Sequence, residues 1–198
     1  MAPMTTTPKV PAKKKAASRA PARKKPASGA PKPRRKREAF LEGHKRKFLV
    51  VVDETPECDR ALAFAASRAK RTKGQLALLY VIEPEGEALH WLGVEELARE
   101  EGLSKAKAVF RLFGRKLRAM GFESLVPEEI VREGGKADEI TKAIEEDRDI
   151  GVLVLGASKD PGAPGPLVSN LAGMAGSFPV PITVVPGHLT TEEILALA

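Results

Sequence analysis

The sequence is poor in the residues that staple small folds. It has one cysteine, Cys58, in 198 residues, so no intramolecular disulfide framework exists, which fits a reducing compartment. Its three histidines, His44, His90 and His188, share no spacing with one another or with Cys58, and a zinc site is not supported. No apolar run approaches the ~20 residues needed to cross a bilayer, and the N-terminus lacks the apolar core of a signal peptide. Acids are scarce at the N-terminus, as in an organelle transit peptide. However, Pro8, Pro11, Pro21, Pro26, Pro31 and Pro33 would break the amphipathic helix such a peptide forms. The expected location is therefore the cytoplasm. No Gly-x-Ser-x-Gly nucleophile elbow is present. Neither paired carboxylates nor a nucleophile–base pair can be placed, so a hydrolase is the least supported class.

The charge that is present is divided. Residues 1–47 hold 16 of the 33 Lys and Arg and only two acids, Glu38 and Glu42, for a net +14. Residues 48–198 hold 17 basic residues against 24 acids, for a net −7. The first segment is written in Ala, Pro, Lys, Arg, Ser and Thr, and Val10 is its only branched aliphatic between Met4 and Phe40. It cannot bury enough apolar area to offset chain entropy, so residues 1–46 read as a disordered arm. Basic clusters at 13–15, 23–25, 34–37 and 45–47 suit sequence-independent neutralisation of a polyanion such as nucleic acid, through residues 9–47. The alternative is a solvated tail with no partner. With no aromatic before Phe40, base stacking is not indicated. No apolar face or lipidation signal points to a membrane.

The remainder alternates strand and helix. Phe48–Val52 is a continuous apolar run ending in Asp53, the pattern of a buried parallel strand. Thr55-Pro56 opens a helix with Leu62, Ala65, Ala66 and Ala69 on one face, and Thr72-Lys73-Gly74 stops it. Gln75–Val81 is a second strand. A loop over residues 83–93 contains His90-Trp91, and a long helix follows from about Val94 to Met120, capped by Gly121. A short third strand covers Glu129–Arg132, and a helix runs from about Ala137 to Glu146. Gly151–Leu155 is the fourth strand, ending at Gly156. After a Gly/Pro loop, a helix spans about Pro166–Gly176, and Val180–Val185 is the fifth strand, with Pro181 near its start or on an edge. Thr190 and Glu193 form a capping box for a last short helix. Such alternation predicts an α/β fold with a parallel sheet and helices on both faces. Ligands on open parallel sheets bind beyond the carboxyl ends of the strands, which here means Asp53, Val81 and the loop after Gly156.

Phe48–Arg60, Ala61–Ala69, Leu76–Ile82 and Ile150–Pro186 together resemble the universal stress protein family. The likeness covers residues 47–187, leaving 188–198 as a C-terminal helical tail. It implies a five-stranded parallel sheet ordered 3-2-1-4-5 and a homodimer formed through the last strand. It also implies a stress-response regulator that binds a nucleotide, of the ATP or AMP type, at the carboxyl ends of strands 1 and 4. The cofactor so implied is ATP with Mg2+, and the activity at most a slow ATPase. Some members hold ATP through a loop written Gly, two residues, Gly, nine residues, Gly, then Ser or Thr. By spacing those positions are Gly156, Lys159, Ser169 and Asn170, of which only the first matches. Gly162 and Gly165 could still let backbone N–H groups approach a phosphate.

Each candidate has a plainer reading. Asp53 could accept a hydrogen bond from an adenine amino group, which the resemblance favours, or from a ribose hydroxyl, or only help to cap the next helix. Thr55 reads as an N-cap more readily than as a ligand contact. Val81 is a wall for a base, or core. Gly156 lines the site, or is a tight strand exit. Lys159 neutralises phosphate, or is solvated. Ser169 and Asn170 bind an anion at a helix start, or only cap it. Gly135-Lys136 imitates a P-loop but lacks its first Gly and its Ser or Thr. Cys58, in a helix's first turn, could have a lowered pKa, although a packed thiol is the plainer account. Two further functions compete: an interaction protein with no ligand, and a nucleic-acid-associated protein acting through its arm.

Overall fold

The computed structural model describes residues 36–84, 94–160 and 162–198. The arm's clusters before residue 36 and the His90-Trp91 loop lie outside them. In chain order the elements are β1 (Lys47–Val51), α1 (Glu57–Arg71), β2 (Gln75–Ile82), α2 (Val94–Ala119), β3 (Glu128–Glu133), α3 (Lys136–Glu146), β4 (Ile150–Gly156), α4 (Pro166–Gly173), β5 (Ile182–Val185) and α5 (Thr191–Leu197). The strands form one sheet, ordered β3-β2-β1-β4-β5, and every neighbouring pair is parallel. The expected fold is the one observed.

The unbroken apolar run of β1 follows from its central place, because both of its faces are covered. Phe48, Val50 and Val52 join one core with α1 and α2, including Leu62, Ala66, Phe110 and Phe113. Leu49 and Val51 join the opposite core with Ile140 and Ile144 of α3 and Leu171 of α4. On α1, Ala61, Ala65, Ala66 and Ala69 are fully buried, and their small side chains let the helix lie close against β1 and β4.

Helix ends show where local chemistry acts. Thr190 accepts from the Glu193 N–H and Glu193 bonds back to the Thr190 N–H, completing the capping box. Gly121, at φ +80°, ends α2, and the Phe122 N–H returns to the Leu117 carbonyl. At the end of α1 the left-handed residue is Lys73, at φ +54°, and not Gly74. Gly74 is needed for another reason: a Cβ there would sit 2.6 Å from the Arg46 carbonyl oxygen. Helix α2 passes through Gly102 without a break, since a side chain there would collide with Ile82.

Residues 37–46, read from the sequence as the end of the arm, pack on the amino-end rim of the sheet. The Arg37 guanidinium donates to the carbonyls of Ile144 and Asp147, satisfying acceptors that the end of α3 leaves open. The Glu38 N–H bonds to the Arg148 carbonyl and its carboxylate pairs with Arg148. His44 Nδ1 lies 2.7 Å from Asp149 Oδ1. Arg46 stacks between the rings of Phe40 and Phe48, 5.6 and 5.1 Å from their centroids. Composition conceals this collar because its partners lie about a hundred residues away in sequence. Arg37→Ala should cost about 1.5–3 kcal/mol, the scale of hydrogen bonds from a charged donor. A lower urea midpoint with unchanged slope would report it.

Candidate functional site

After Val52, whose N–H bonds to the Leu79 carbonyl, the chain leaves the sheet at Asp53. The Asp53 side chain then organises the turn. Its Oδ1 accepts from the Thr55 N–H at 2.9 Å, the Thr55 hydroxyl at 2.5 Å and the Cys58 thiol at 3.1 Å. Thr55 therefore serves Asp53 and is not the N-cap of α1; Pro56 holds that position without a side-chain cap. The second oxygen, Oδ2, faces Lys136 Nζ at 3.5 Å, and the same ammonium lies 3.4 Å from Glu83 Oε2. Lys136 opens α3 after a Gly134-Gly135 turn, in which Gly134 takes φ +137° and Gly135 is the N-cap.

These contacts fix charge. Burial works to raise the Asp53 carboxyl, but the donors on Thr55 and Cys58 and the charge of Lys136 outweigh it and hold the group below its usual pKa. Burial works to lower Lys136, yet the charges of Asp53 and Glu83 hold it above the ordinary lysine value. Cys58 is pushed up to about 12 by burial and by the neighbouring Asp53 carboxylate. Its place in the first helical turn does not make it reactive.

Gly156 ends β4 opposite Val185. A Cβ there would fall 2.0 Å from the Glu57 carbonyl oxygen and 2.6 Å from the Glu57 carbonyl carbon, so this position admits only glycine. Because β1 and β4 run parallel with Val50 beside Val154, Asp53 and Gly156 close the same rim, as the strand-end rule requires.

The loop after Gly156 is turned in on itself. The Ser158 N–H donates to the Pro164 carbonyl, the Asp160 N–H to Ser158 Oγ, the Gly162 N–H to Asp160 Oδ1 and the Ala163 N–H to the Asp160 carbonyl. Lys159 is exposed. Gly165, at φ +102°, and Pro166 open α4. Ser169 and Asn170 are thus its fourth and fifth residues and not its start, and the Ser169 N–H is already bonded to the Gly165 carbonyl. Counting along the motif puts them at a helix start, whereas the helix begins three residues earlier, at Pro166. At the true helix start Pro166 has neither hydroxyl nor N–H. Val81 is 6% exposed, and its side chain belongs to the core with Ile140. Among the described residues, no group of three or more His, Cys, Asp or Glu is placed to hold a metal ion. With the N–H groups of Ser158, Asp160, Gly162 and Ala163 committed inside the loop and no such acidic group for the metal, the residues present do not fit a triphosphate with Mg2+.

Comparison with known proteins agrees with the fold. The pattern of the Universal stress protein family matches residues 45–186. The chain belongs to this family. Universal stress protein UspA from Lactobacillus plantarum is 17% identical, covering 71% of this chain and 97% of its own, at a TM-score of 0.56. A universal stress protein from Archaeoglobus fulgidus is 20% identical, covering 70% and 92%, at 0.51. A universal stress protein in complex with cAMP is 17% identical, covering 72% and 97%, at 0.51. At such identities the likeness shows the fold. A search of curated proteins gives no match. No helix among the described residues is long and apolar enough to cross a membrane.

Sequence reasoning missed Lys136 and Glu83. The signal was the Gly134-Gly135-Lys136 stretch, set aside as a failed P-loop. Its position at the carboxyl end of β3, on the rim that Asp53 shares, is the clue that mattered.

Three outcomes follow. Cys58 in the native protein should resist iodoacetamide at pH 8 and label fully once unfolded, as mass spectrometry would record. Gly156→Ala should lower the denaturant midpoint by several kcal/mol's worth of stability, the scale of backbone overpacking. Asp53 contributes stability that is complete above the unfolded carboxyl value of about 3.9 and is lost as pH falls through its lower folded value. The stability gap between wild type and Asp53→Asn, followed by urea melts, should therefore narrow with acidification.

Proposed function

We propose that this universal stress protein is a binding regulator and not a turnover enzyme. Its crevice beyond the carboxyl ends of β1 and β4 takes an adenine nucleotide carrying a single phosphate. The carrying observation is the ionised Asp53 carboxylate, held by three donors from its own turn, with Oδ2 engaged only by Lys136 at 3.5 Å. A base amino group takes Oδ2, and the released ammonium meets the phosphate. The inward-turned loop argues for AMP or a cyclic monophosphate over ATP, and a relative of the same fold is described in complex with cAMP. Gly156 ends β4 at this rim and lets α1 close against it, and Lys159 adds an exposed cation in the loop that follows. The self-satisfied loop also favours a second reading, a regulator that binds no small molecule and acts through protein contacts.

Further proposals concern assembly and the arm. The edge strand β5, where Val184 is 42% exposed, pairs with a second copy to form a homodimer. The basic arm holds a polyanion in the cytoplasm.

Isothermal titration should show AMP and cAMP binding, with ATP no tighter. Asp53→Ala should abolish binding, and Lys136→Met should erase the preference for AMP over adenosine. If no nucleotide at millimolar concentration gives heat or shifts the melting temperature, the second reading stands. Removal of residues 1–35, which spares the collar, should abolish duplex DNA binding that weakens steeply with salt. Binding that survives the truncation, or that ignores salt, would count against the arm.

A further inference from the structure

The body of the protein is acidic, but its cations are not spread evenly. Helix α2 carries Lys107, Arg111, Arg115 and Arg118, all exposed. At i, i+4, i+8 and i+11 they fall within about 80° of arc and over ~16 Å of helix, a single stripe. Among the described residues none of the four has an acidic partner, whereas other cations nearby do. Lys116 on the same helix pairs with Asp59, and Arg99 pairs with Glu133.

Beside the stripe, between α2 and the segment leading to β3, lies a groove of about 400 Å3. Arg111, Arg115 and Arg118 form one side, and Leu125, Val126 and Pro127 supply apolar surface. Val126 is 78% exposed. Glu123 and Glu129 also line the groove, so it is polarised, with its positive side on the helix.

Both surfaces must be matched by one occupant. A nucleic-acid backbone brings evenly repeated charge; it offers nothing apolar to Val126 and sets phosphates against Glu123 and Glu129. A peptide can aim carboxylates at one wall and an aliphatic side chain at the other. We propose that this groove docks an acidic amphipathic segment of a partner protein, with carboxylates one helical turn apart facing Arg111, Arg115 and Arg118 and an aliphatic residue on Val126. This surface is separate from the crevice at Asp53, and the proposal does not rest on the nucleotide reading.

The test is fluorescence anisotropy on the full chain. The probe is a helical peptide with glutamates at i, i+4 and i+7 and a leucine on the adjoining face. The control is a scrambled peptide of the same composition, which measures attraction by the arm. The designed peptide should bind at least tenfold more tightly than the scramble. The double variant Arg111→Glu with Arg115→Glu should remove that margin, and the milder Val126→Ser should reduce it several-fold, both with unchanged circular dichroism. Equal affinity for the two peptides, or no effect of the charge reversal, would overturn the proposal. So would a loss of duplex DNA binding on charge reversal while the peptide margin persists, because the stripe would then be a nucleic-acid contact.

Discussion

The contact between Gly156 and the first turn of α1 sets the geometry on which the rest depends. The Glu57 carbonyl occupies the space where any side chain at 156 would begin, so α1 approaches the end of β4 backbone to backbone. That approach seats Cys58, whose thiol reaches both the Val51 carbonyl and Asp53. The carboxylate is thereby pinned on one side by the helix that the glycine admits. On the other side it meets an ammonium carried by α3. A displacement of α1 would withdraw the Cys58 donor from Oδ1 of Asp53 and so alter the chemistry of the rim.

Much of the fold could be read from the chain, for reasons visible in particular residues. Phe48–Val52 reads as a strand because alternate side chains enter two different cores, which only a central parallel strand requires. Thr190 and Glu193 are three residues apart and act locally, so their capping box needs no tertiary knowledge. The strand order came from the family resemblance, since periodicity does not encode which strands are neighbours. Two of the failures share a cause. Lys136 gains its importance from Asp53 and Glu83, residues far away in sequence. Arg37 and Glu38 find their partners around residues 144–148, and a composition rich in Lys, Arg and Pro gives no hint of it. Ser169 and Asn170 were assigned by counting along a motif, whereas Gly165 and Pro166 mark the helix start by their own backbone constraints.

The cations of this chain divide by what faces them. Arg37 and Arg148 are spent on the carbonyls and the carboxylate that bind the collar to the body, and Lys47 ties the start of β1 to Glu128 of β3 and to Asp147 at the end of α3. Lys136 is shared between two acids at the rim, a balance that keeps a carboxylate ionised without committing it fully. The stripe on α2 has no such obligations among the described residues. Net charge therefore says little about this protein until each charge is assigned its neighbour.

The docking of residues 37–46 has a consequence for how the molecule can be handled by its surroundings. The polypeptide joins the body beside Arg148, just before β4 begins, while the rim that carries Asp53 and Gly156 lies where β4 ends, roughly 20 Å away along seven extended residues. The collar and the proposed ligand site therefore sit at opposite ends of the same strand. A change at one would not obstruct the other, and the elements that join them are β1 and β4.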